Sequence, residues 1–224
     1  MSQRLIFVDA AAAADALTFA GRARTVGDGA VRLRAEHGTL AMTAAPLAPR
    51  GLFDSTPTVL ALRAVHVDPE LVCDLVVDAS ALAPADDDAA ALVLPETAQS
   101  PAWAGVSPPR GGWAQGAALP ASLLAARAQF GIAMVAEAMP ADPGEDVVRV
   151  IRADVWGAVD EQLHGLPLGA AFAAFTMGFI AGEEDARVLT SGAWTRLTLA
   201  RGHVLVRGPQ RVGLTAVRAT GASG

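Results

Sequence analysis

Four histidines are the side chains of this sequence best suited to proton transfer, because the unperturbed pKa of imidazole lies near neutrality. They are His37, His66, His164 and His203, and no two of them are close enough in sequence to share one helical turn. Cys73 is the single cysteine, so the chain lacks an internal disulfide and the paired ligands of a structural zinc site. We therefore predict no metal and no cofactor.

Three residue types are absent from the chain: Lys, Tyr and Asn. Without lysine there is no Schiff-base chemistry and no P-loop, and protein kinases need both a strand lysine and a catalytic-loop asparagine. All 17 basic residues are arginine, and the bias towards Ala, Arg, Gly and Pro codons indicates a GC-rich genome. Carboxylate, histidine and serine chemistry remain available.

The C-terminal part carries the best candidate for a binding face. Segments 193–199 and 203–207 alternate with period two around Gly202, which predicts a β-hairpin. If Leu197, Leu199, Val204 and Val206 face the core, the residues that share the other face are Trp194, Arg196, His203 and Arg207, with Arg201 in the turn. Guanidinium groups beside an indole and an imidazole could hold a carboxylate or another anion. The simpler alternative is a polar outer strand face with a cation–π contact.

A second candidate is the loop from Trp103 to Trp113. Its segment 107–113 reads Ser-Pro-Pro-Arg-Gly-Gly-Trp, so two prolines extend the chain, two glycines then free it, and Trp113 offers a large apolar surface. Such a loop could line a groove or receive a partner. The alternative is a connector whose tryptophans dock back on the core.

The acidic triplet Asp86-Asp87-Asp88 is a dense group of carboxylates. Clustered carboxylates can bind Mg²⁺ or Ca²⁺. This triplet, however, lies in an Ala/Pro-rich segment without the alternating spacing and turn glycine of a calcium loop. We predict a solvated loop and no metal site.

The order of the elements predicts an α+β fold: an N-terminal, mostly antiparallel sheet with one helix, then a helical segment of about three helices, then a C-terminal β-hairpin. The first helix is predicted from Ala10 to about Arg24. The predicted strands around it are 4–8, 31–35, 39–43, 58–67, 71–77 and 91–94, and the later helices are 120–139, 145–155 and 167–180. One broad apolar face of the helix 120–139 carries Leu123, Leu124, Phe130, Met134, Val135 and Met139. We divide the chain into an α+β sheet subdomain (1–95), a Pro/Gly/Trp-rich connector (96–119) and a helical subdomain ending in the hairpin (120–224).

Charge and hydropathy limit the partners. The net charge of −6 and the scattered arginines predict no nucleic-acid partner. The longest charge-free stretch, Gly165–Gly182, is too short and too rich in small residues for a membrane span, so we predict no membrane partner. It predicts a buried helix, covered either by its own domain or by a second copy of the protein. The N-terminus carries no export signal, which predicts a cytoplasmic location.

The stretches 107–113, 194–197 and 201–204 resemble an uncharacterised family of proteins from high-GC Gram-positive (actinobacterial) bacteria, over most of the chain. The resemblance implies a bacterial cytosolic setting and brings no activity, ligand or catalytic residue with it. The N-terminal order of strand, long helix and several strands also looks like one module of a DNA sliding clamp. That topology is generic and no basic inner surface is evident, so we do not adopt it.

We predict a non-enzymatic binding or interaction protein that self-associates as a homo-oligomer through apolar helical surface. The alternative is a small-molecule enzyme or anionic-ligand-binding protein, with its site between the 103–113 loop and the hairpin. In that site Arg110, Arg196 and Arg201 orient an acidic ligand, Trp113 or Trp194 forms a wall, and His203 is the catalytic acid or base. The alternative requires Trp113, Arg201 and His203 to converge on one concave pocket.

Overall fold

The computed structural model describes residues 4–51 and 53–208; the end of the predicted helical subdomain, 209–224, lies outside the described residues. Helices and a large antiparallel sheet give the α+β fold that the sequence predicts. The α-helices are α1 (Ala10–Ala23), α2 (Ala121–Ala138), α3 (Glu145–Gly157) and α4 (Leu168–Thr176). Short 3₁₀ helices span Ala79–Ala81, Ala102–Gly105 and Glu161–Leu163. The first strands are β1 (Arg4–Ile6), β2 (Ala30–Glu36), β3 (Thr39–Leu47), β4 (Thr58–His66), β5 (Cys73–Asp78), β6 (Ala83–Pro84) and β7 (Ala91–Val93). The later strands are β8 (Ala114–Pro120), β9 (Val159–Asp160), β10 (Leu166–Pro167), β11 (Asp185–Ser191), β12 (Trp194–Leu199) and β13 (Gly202–Arg207).

One eight-stranded sheet runs through both halves of the sequence, in the order β5-β2-β3-β4-β13-β12-β11-β8. Its halves join where β4 pairs with β13 in antiparallel register, with Leu60 opposite Leu205. The C-terminal hairpin therefore lies inside the sheet, while β5 and β8 form its edges. Two small sheets, β1-β7-β6 and β10-β9, lie apart from it.

Helices cover one face of the sheet, which we call the helix face. Asp9 caps α1 by accepting a hydrogen bond from the Ala12 amide at 2.8 Å, as N-cap residues do. Helix α4 is the most buried, since every residue from Leu168 to Ala174 is buried. Its cover comes from its own chain, through α2, α3, β4 and β13. The sequence left open whether this helix is covered by its own domain or by a second copy of the protein, and in the structure its own chain covers it.

The opposite face, the outer face, carries a smaller apolar cluster. Leu60, Leu205, Trp103 and Trp194 are its largest buried members. The 3₁₀ turn at Ala102–Gly105 lies over them, and the Trp103 indole donates a hydrogen bond to the Asp28 carboxylate at 2.8 Å. The loop that the sequence predicts as a groove or connector therefore packs on the sheet. Within residues 4–51 and 53–208, no helix has the length and apolar character needed to cross a bilayer.

Candidate functional site

The outer face of the hairpin places the predicted polar residues side by side. Trp194 lies opposite Arg207, Arg196 opposite Leu205, and Thr198 opposite His203. Leu197 and Val204 form a pair on the other face, where both are fully buried. The alternation of side chains along β12 and β13 thus has the phase that the sequence predicts.

Arg196 is the centre of this group. Its Nη2 atom lies 3.1 Å from Nε2 and 3.3 Å from Nδ1 of His203. The His203 ring also lies 3.2 Å from the hydroxyl of Thr198. On the other side, the Arg196 guanidinium sits 5.9 Å from the ring centre of Trp113, within cation–π range. The 103–113 loop and the hairpin therefore meet on one side of the sheet.

Arg187 adds a second guanidinium to the same face, because it lies opposite Thr198 in the β11–β12 pair. We call Arg187, Arg196 and His203 the cationic cluster. In the part of the chain that the structure describes, no carboxylate forms an ion pair with either arginine. The Nε of Arg196 is also buried with no hydrogen-bond partner there, and such an orphaned donor costs about 1–3 kcal/mol.

The electrostatics of the cluster follow from burial and like charges. Burial lowers the pKa of Arg196, and the charge of Arg187 lowers it further. Burial, helped by Arg196, Arg187 and Arg63, lowers the pKa of His203 from 6.5 to about 4. The ring is therefore neutral at pH 7, where it can accept a hydrogen bond but has no extra proton to donate as an acid.

This shift predicts a stability loss in acid. Above pH 6.5 His203 is neutral in both the folded and the unfolded chain; between pH 6.5 and about 4 the unfolded chain takes up the proton first. Stability should therefore fall as the pH drops through this window, by about 2 kcal/mol after allowance for the partial exposure of the ring. The measurement is urea unfolding of the wild type and His203→Gln from pH 7 to pH 4. Their stability difference should change with pH, and a constant difference would contradict the assignment.

The remaining predicted site residues are Arg110, Trp194 and Arg201, and of these only Trp194 lies on the outer face of the hairpin beside Arg196. Arg110 is exposed and sits 3.5 Å from Glu36 at the end of β2. Trp194 is buried, with the guanidinium of Arg207 6.0 Å from its ring centre. Arg201 lies in the hairpin turn, where its carbonyl accepts a hydrogen bond from Arg63. The structure thus brings Trp113, Arg196 and His203 together and leaves Arg110 and Arg201 apart; the catalytic role of His203 stays a prediction.

Two cavities were not anticipated from the sequence. The larger, of about 1100 Å³, lies between the 46–56 loop and α3 and is lined by both signs of charge, including Arg50, Asp54 and Arg149. The smaller, of about 230 Å³, is lined by Asp15, Arg63 and Arg201. Neither includes Trp113 or His203, so the cationic cluster is an open surface feature.

The acidic triplet forms no metal site. Asp87 pairs with Arg4 at 2.8 Å, and this ion pair ties the loop to β1. Asp88 accepts a hydrogen bond from the amide of Ala90 within its own turn. Across the described residues, no group of three or more His, Cys, Asp or Glu side chains is placed to hold a metal ion.

Strand β8 and helix α2 form a second exposed feature, which we call the edge surface. The first five residues of β8 are exposed, and the strand continues directly into α2 at Ala121. No charged residue lies between Arg110 and Arg127. Helix α2 leaves Phe130 45% and Met134 38% exposed. A long stretch of chain is thus exposed and uncharged.

Sequence reasoning missed Arg187 and β8 for different reasons. Arg187 belongs to β11, where Ala186 and Val188 are buried and Arg187 is exposed. That alternation, followed by the turn glycine Gly192, was a usable signal for a hairpin strand. Strand β8 gave none, because its small residues are exposed on both sides and show no period of two.

Comparison with protein families divides the chain in two. Residues 1–105 match the model described as "Domain of unknown function (DUF8010)", and residues 108–211 match "Domain of unknown function (DUF8185)". Neither description gives an activity, which is consistent with the uncharacterised family that the sequence resembles. No curated protein matches the chain.

Solved structures with a related arrangement are DNA polymerase sliding clamps. The clamp of Caulobacter crescentus is 12% identical, with 99% of this chain and 70% of that chain covered and a TM-score of 0.46. The DnaN clamp of Bartonella birtlesii, bound to griselimycin, is 15% identical, with 93% and 65% covered and a TM-score of 0.49. A putative DNA polymerase III beta subunit from Eubacterium rectale is 8% identical, with 95% and 66% covered and a TM-score of 0.49.

The chain therefore spans about two thirds of the length of these clamps. At such TM-scores and identities the likeness assigns no role to any residue. Because the matched proteins are clamps of DNA polymerase, the comparisons lend no support to the predicted absence of a nucleic-acid partner.

Proposed function

We propose that this chain is a non-enzymatic interaction protein of the cytoplasm that self-associates through its edge surface. The observation that carries the proposal is the exposed, uncharged edge strand β8 at one end of the eight-stranded sheet. The sequence predicts self-association through an apolar helix. Because its own chain covers α4, the contact proposed here uses β8 and α2 instead.

An edge strand presents unpaired N–H and C=O groups to any strand that approaches it. Soluble proteins usually protect such edges with charged side chains, proline or a covering segment. In β8 a bulge lies opposite Val188, and Pro120 ends the strand. No charge protects it, and among the described residues no segment pairs with its outer side.

The other edge of the same sheet is protected, which makes the contrast informative. On β5, Asp74 forms an ion pair with Arg32 at 2.7 Å. The amide of Gln99 donates a hydrogen bond to the carbonyl of Val76 at 2.7 Å, so the following loop covers part of this edge. Of the two edges of this sheet, β8 is the one to which no other described segment is hydrogen-bonded on the outer side.

A second copy of the chain is the partner that fits this surface. Two β8 strands related by a two-fold axis can pair antiparallel, which is the geometry of an isologous dimer. Helix α2, with Ala126, Phe130 and Ala133 exposed and the Arg127 guanidinium over the Phe130 ring, then extends the contact beside the new strand pair. The net charge of −6 disfavours nucleic acid as the alternative occupant.

A charge placed on β8 is expected to break the dimer. Ala117 is the central residue of β8 and lies nearest the two-fold axis of a symmetric β8 pair, where a residue approaches its own mate. Ala117→Glu therefore brings two like charges together, and the dimer dissociation constant should rise roughly tenfold or more. The measurement is sedimentation velocity across the micromolar range. Ala126→Glu on α2 should have a smaller effect in the same direction.

Ala193→Glu is the matched control, because Ala193 is an exposed alanine in the β11–β12 turn and the variant adds the same charge. It should dimerise like the wild type. A wild-type chain that stays monomeric at high micromolar concentration contradicts the proposal. So does a dimer that Ala117→Glu and Ala126→Glu leave unchanged.

A further inference from the structure

The guanidinium of Arg196 is short of partners. Its Nη2 donates to the ring of His203, its Nε is buried and unpaired, and no hydrogen bond to its Nη1 is found among the described residues. The ring of His203 is a neutral acceptor. Arg196 is half-buried, and a carboxylate or another anion is the partner that would match its unpaired donors.

Positively charged neighbours add to the unbalanced positive charge of Arg196. Arg187 stands opposite Thr198 on the next strand, and its charge reaches both Arg196 and His203. Arg63 also contributes a positive potential at His203. Within the described chain, no carboxylate is hydrogen-bonded or ion-paired to Arg187, Arg196 or His203. Arg63 has its own acidic partner, since its guanidinium is paired with Asp15 of α1 at 2.7 Å. Arg187 and Arg196 have no ion-paired carboxylate among the described residues, although Asp185 lies two residues before Arg187 on the same side of β11.

We propose that the cationic cluster binds a small oxyanion, a carboxylate or phosphate group, between Arg187 and Arg196 on the outer face of the sheet. A planar guanidinium offers paired donors that match two oxygens of such a group. Thr198 adjoins both arginines, because it lies opposite Arg187 and two residues after Arg196 on β12, and its hydroxyl is 3.2 Å from Nδ1 of His203. This proposal is independent of the edge surface and of self-association.

Trp113 gives the site its remaining wall. Its ring stands over the Arg196 guanidinium, which limits the conformations of that side chain and keeps solvent from one side. Neither of the two cavities described above reaches this place. A group on the outer face of the sheet would receive the anionic end of a ligand, with the rest of the ligand outside it.

Titration of the wild-type protein with inorganic phosphate and, separately, with acetate tests the proposal. Proton and nitrogen NMR should show saturable shifts of the Trp113 indole N–H and the His203 ring signals, with sodium chloride at equal ionic strength as the reference. Phosphate alone, acetate alone, or both acting beyond chloride would support the site and identify the preferred oxyanion. A bound anion should also raise the pKa of His203 from its value of about 4, since a negative charge favours the protonated ring.

Two variants locate the effect. Arg196→Gln should weaken binding roughly tenfold or more, as expected for loss of a charge-assisted hydrogen bond. Arg4→Gln is the control, since it removes one positive charge from an exposed residue that pairs with Asp87. Arg4 belongs to β1, which lies in a small sheet separate from the one that carries the cationic cluster. This variant should bind like the wild type.

Three results would overturn the proposal. The first is the absence of any saturable shift with phosphate or acetate beyond that with chloride. The second is binding that Arg196→Gln and Arg4→Gln weaken equally, which would indicate a general effect of net charge. The third is an unchanged pKa of His203 in saturating anion. The first and third use only the wild-type protein, so a folding defect in a variant cannot obscure them.

Discussion

Replacing Gly131 by alanine is expected to destabilise the protein, although the same exchange in a helix interior normally stabilises by about 1 kcal/mol. Gly131 lies in α2 against the indole of Trp156, and an added Cβ would stand 2.8 Å from Cη2 and closer still to Cζ3. The indole cannot retreat easily, because it stacks on Phe172 with ring centres 4.2 Å apart. Overpacking of this kind costs about 1–3 kcal/mol or more.

Gly21 provides the matched control. It lies in α1, and an added Cβ there would meet nothing within 4 Å. Gly21→Ala should therefore gain the helix propensity that Gly131→Ala cannot realise, and the two variants should differ by about 3 kcal/mol in the free energy of unfolding. Urea unfolding followed by circular dichroism measures both. Equal stabilities would show that α2 and α3 are not packed through this contact.

The contact between Gly131 and Trp156 also explains where sequence reasoning about α2 was wrong. The sequence predicts an apolar face that includes Phe130 and Met134, since large apolar side chains are usually buried. In the structure both are exposed, while Ala128 and Gly131 are buried. The large side chain comes from α3, so α2 must present small residues to it. Pairing of a large with a small residue across two helices cannot be inferred from one helix alone.

The hairpin shows what a local pattern can establish. Its strands, its turn and the phase of its alternation follow from residues within one short segment, and they were predicted correctly. Its place in the middle of the sheet was not predicted, because the pairing of Leu205 with Leu60 joins distant parts of the chain. The cationic cluster was half found for the same reason. Arg196 and His203 belong to the hairpin, but Arg187 comes from a strand that was missed.

Removing the carboxylate of Asp160 is expected to have the largest effect on stability. Asp160 is 7% exposed, and its carboxylate lies 2.5 Å from Nη2 and 2.6 Å from Nε of Arg127. It also accepts a hydrogen bond from the amide of Gln162 at 2.8 Å. Asp160→Ala leaves a largely buried guanidinium without its partner, which typically costs 3–5 kcal/mol. Thermal and urea unfolding measure the loss, and Asp87→Ala, in an exposed pair with Arg4, should change little.

A double variant distinguishes the net contribution of the ion pair to stability from the loss of stability caused by leaving one of its charges buried and unpaired. Arg127→Met with Asp160→Leu removes both charges and replaces them with apolar groups, so it should recover most of the stability lost in Asp160→Ala. If the double variant is no more stable than Asp160→Ala, the stability comes from two other contacts. These are the hydrogen bond that Asp160 accepts from Gln162 and the packing of Arg127 over Phe130, 4.2 Å from the ring centre.

The ion pair between Arg127 and Asp160 joins α2 to the segment that leads into α4. A destabilised Asp160→Ala protein should therefore dimerise less well than the double variant, because the edge surface depends on α2 holding its position.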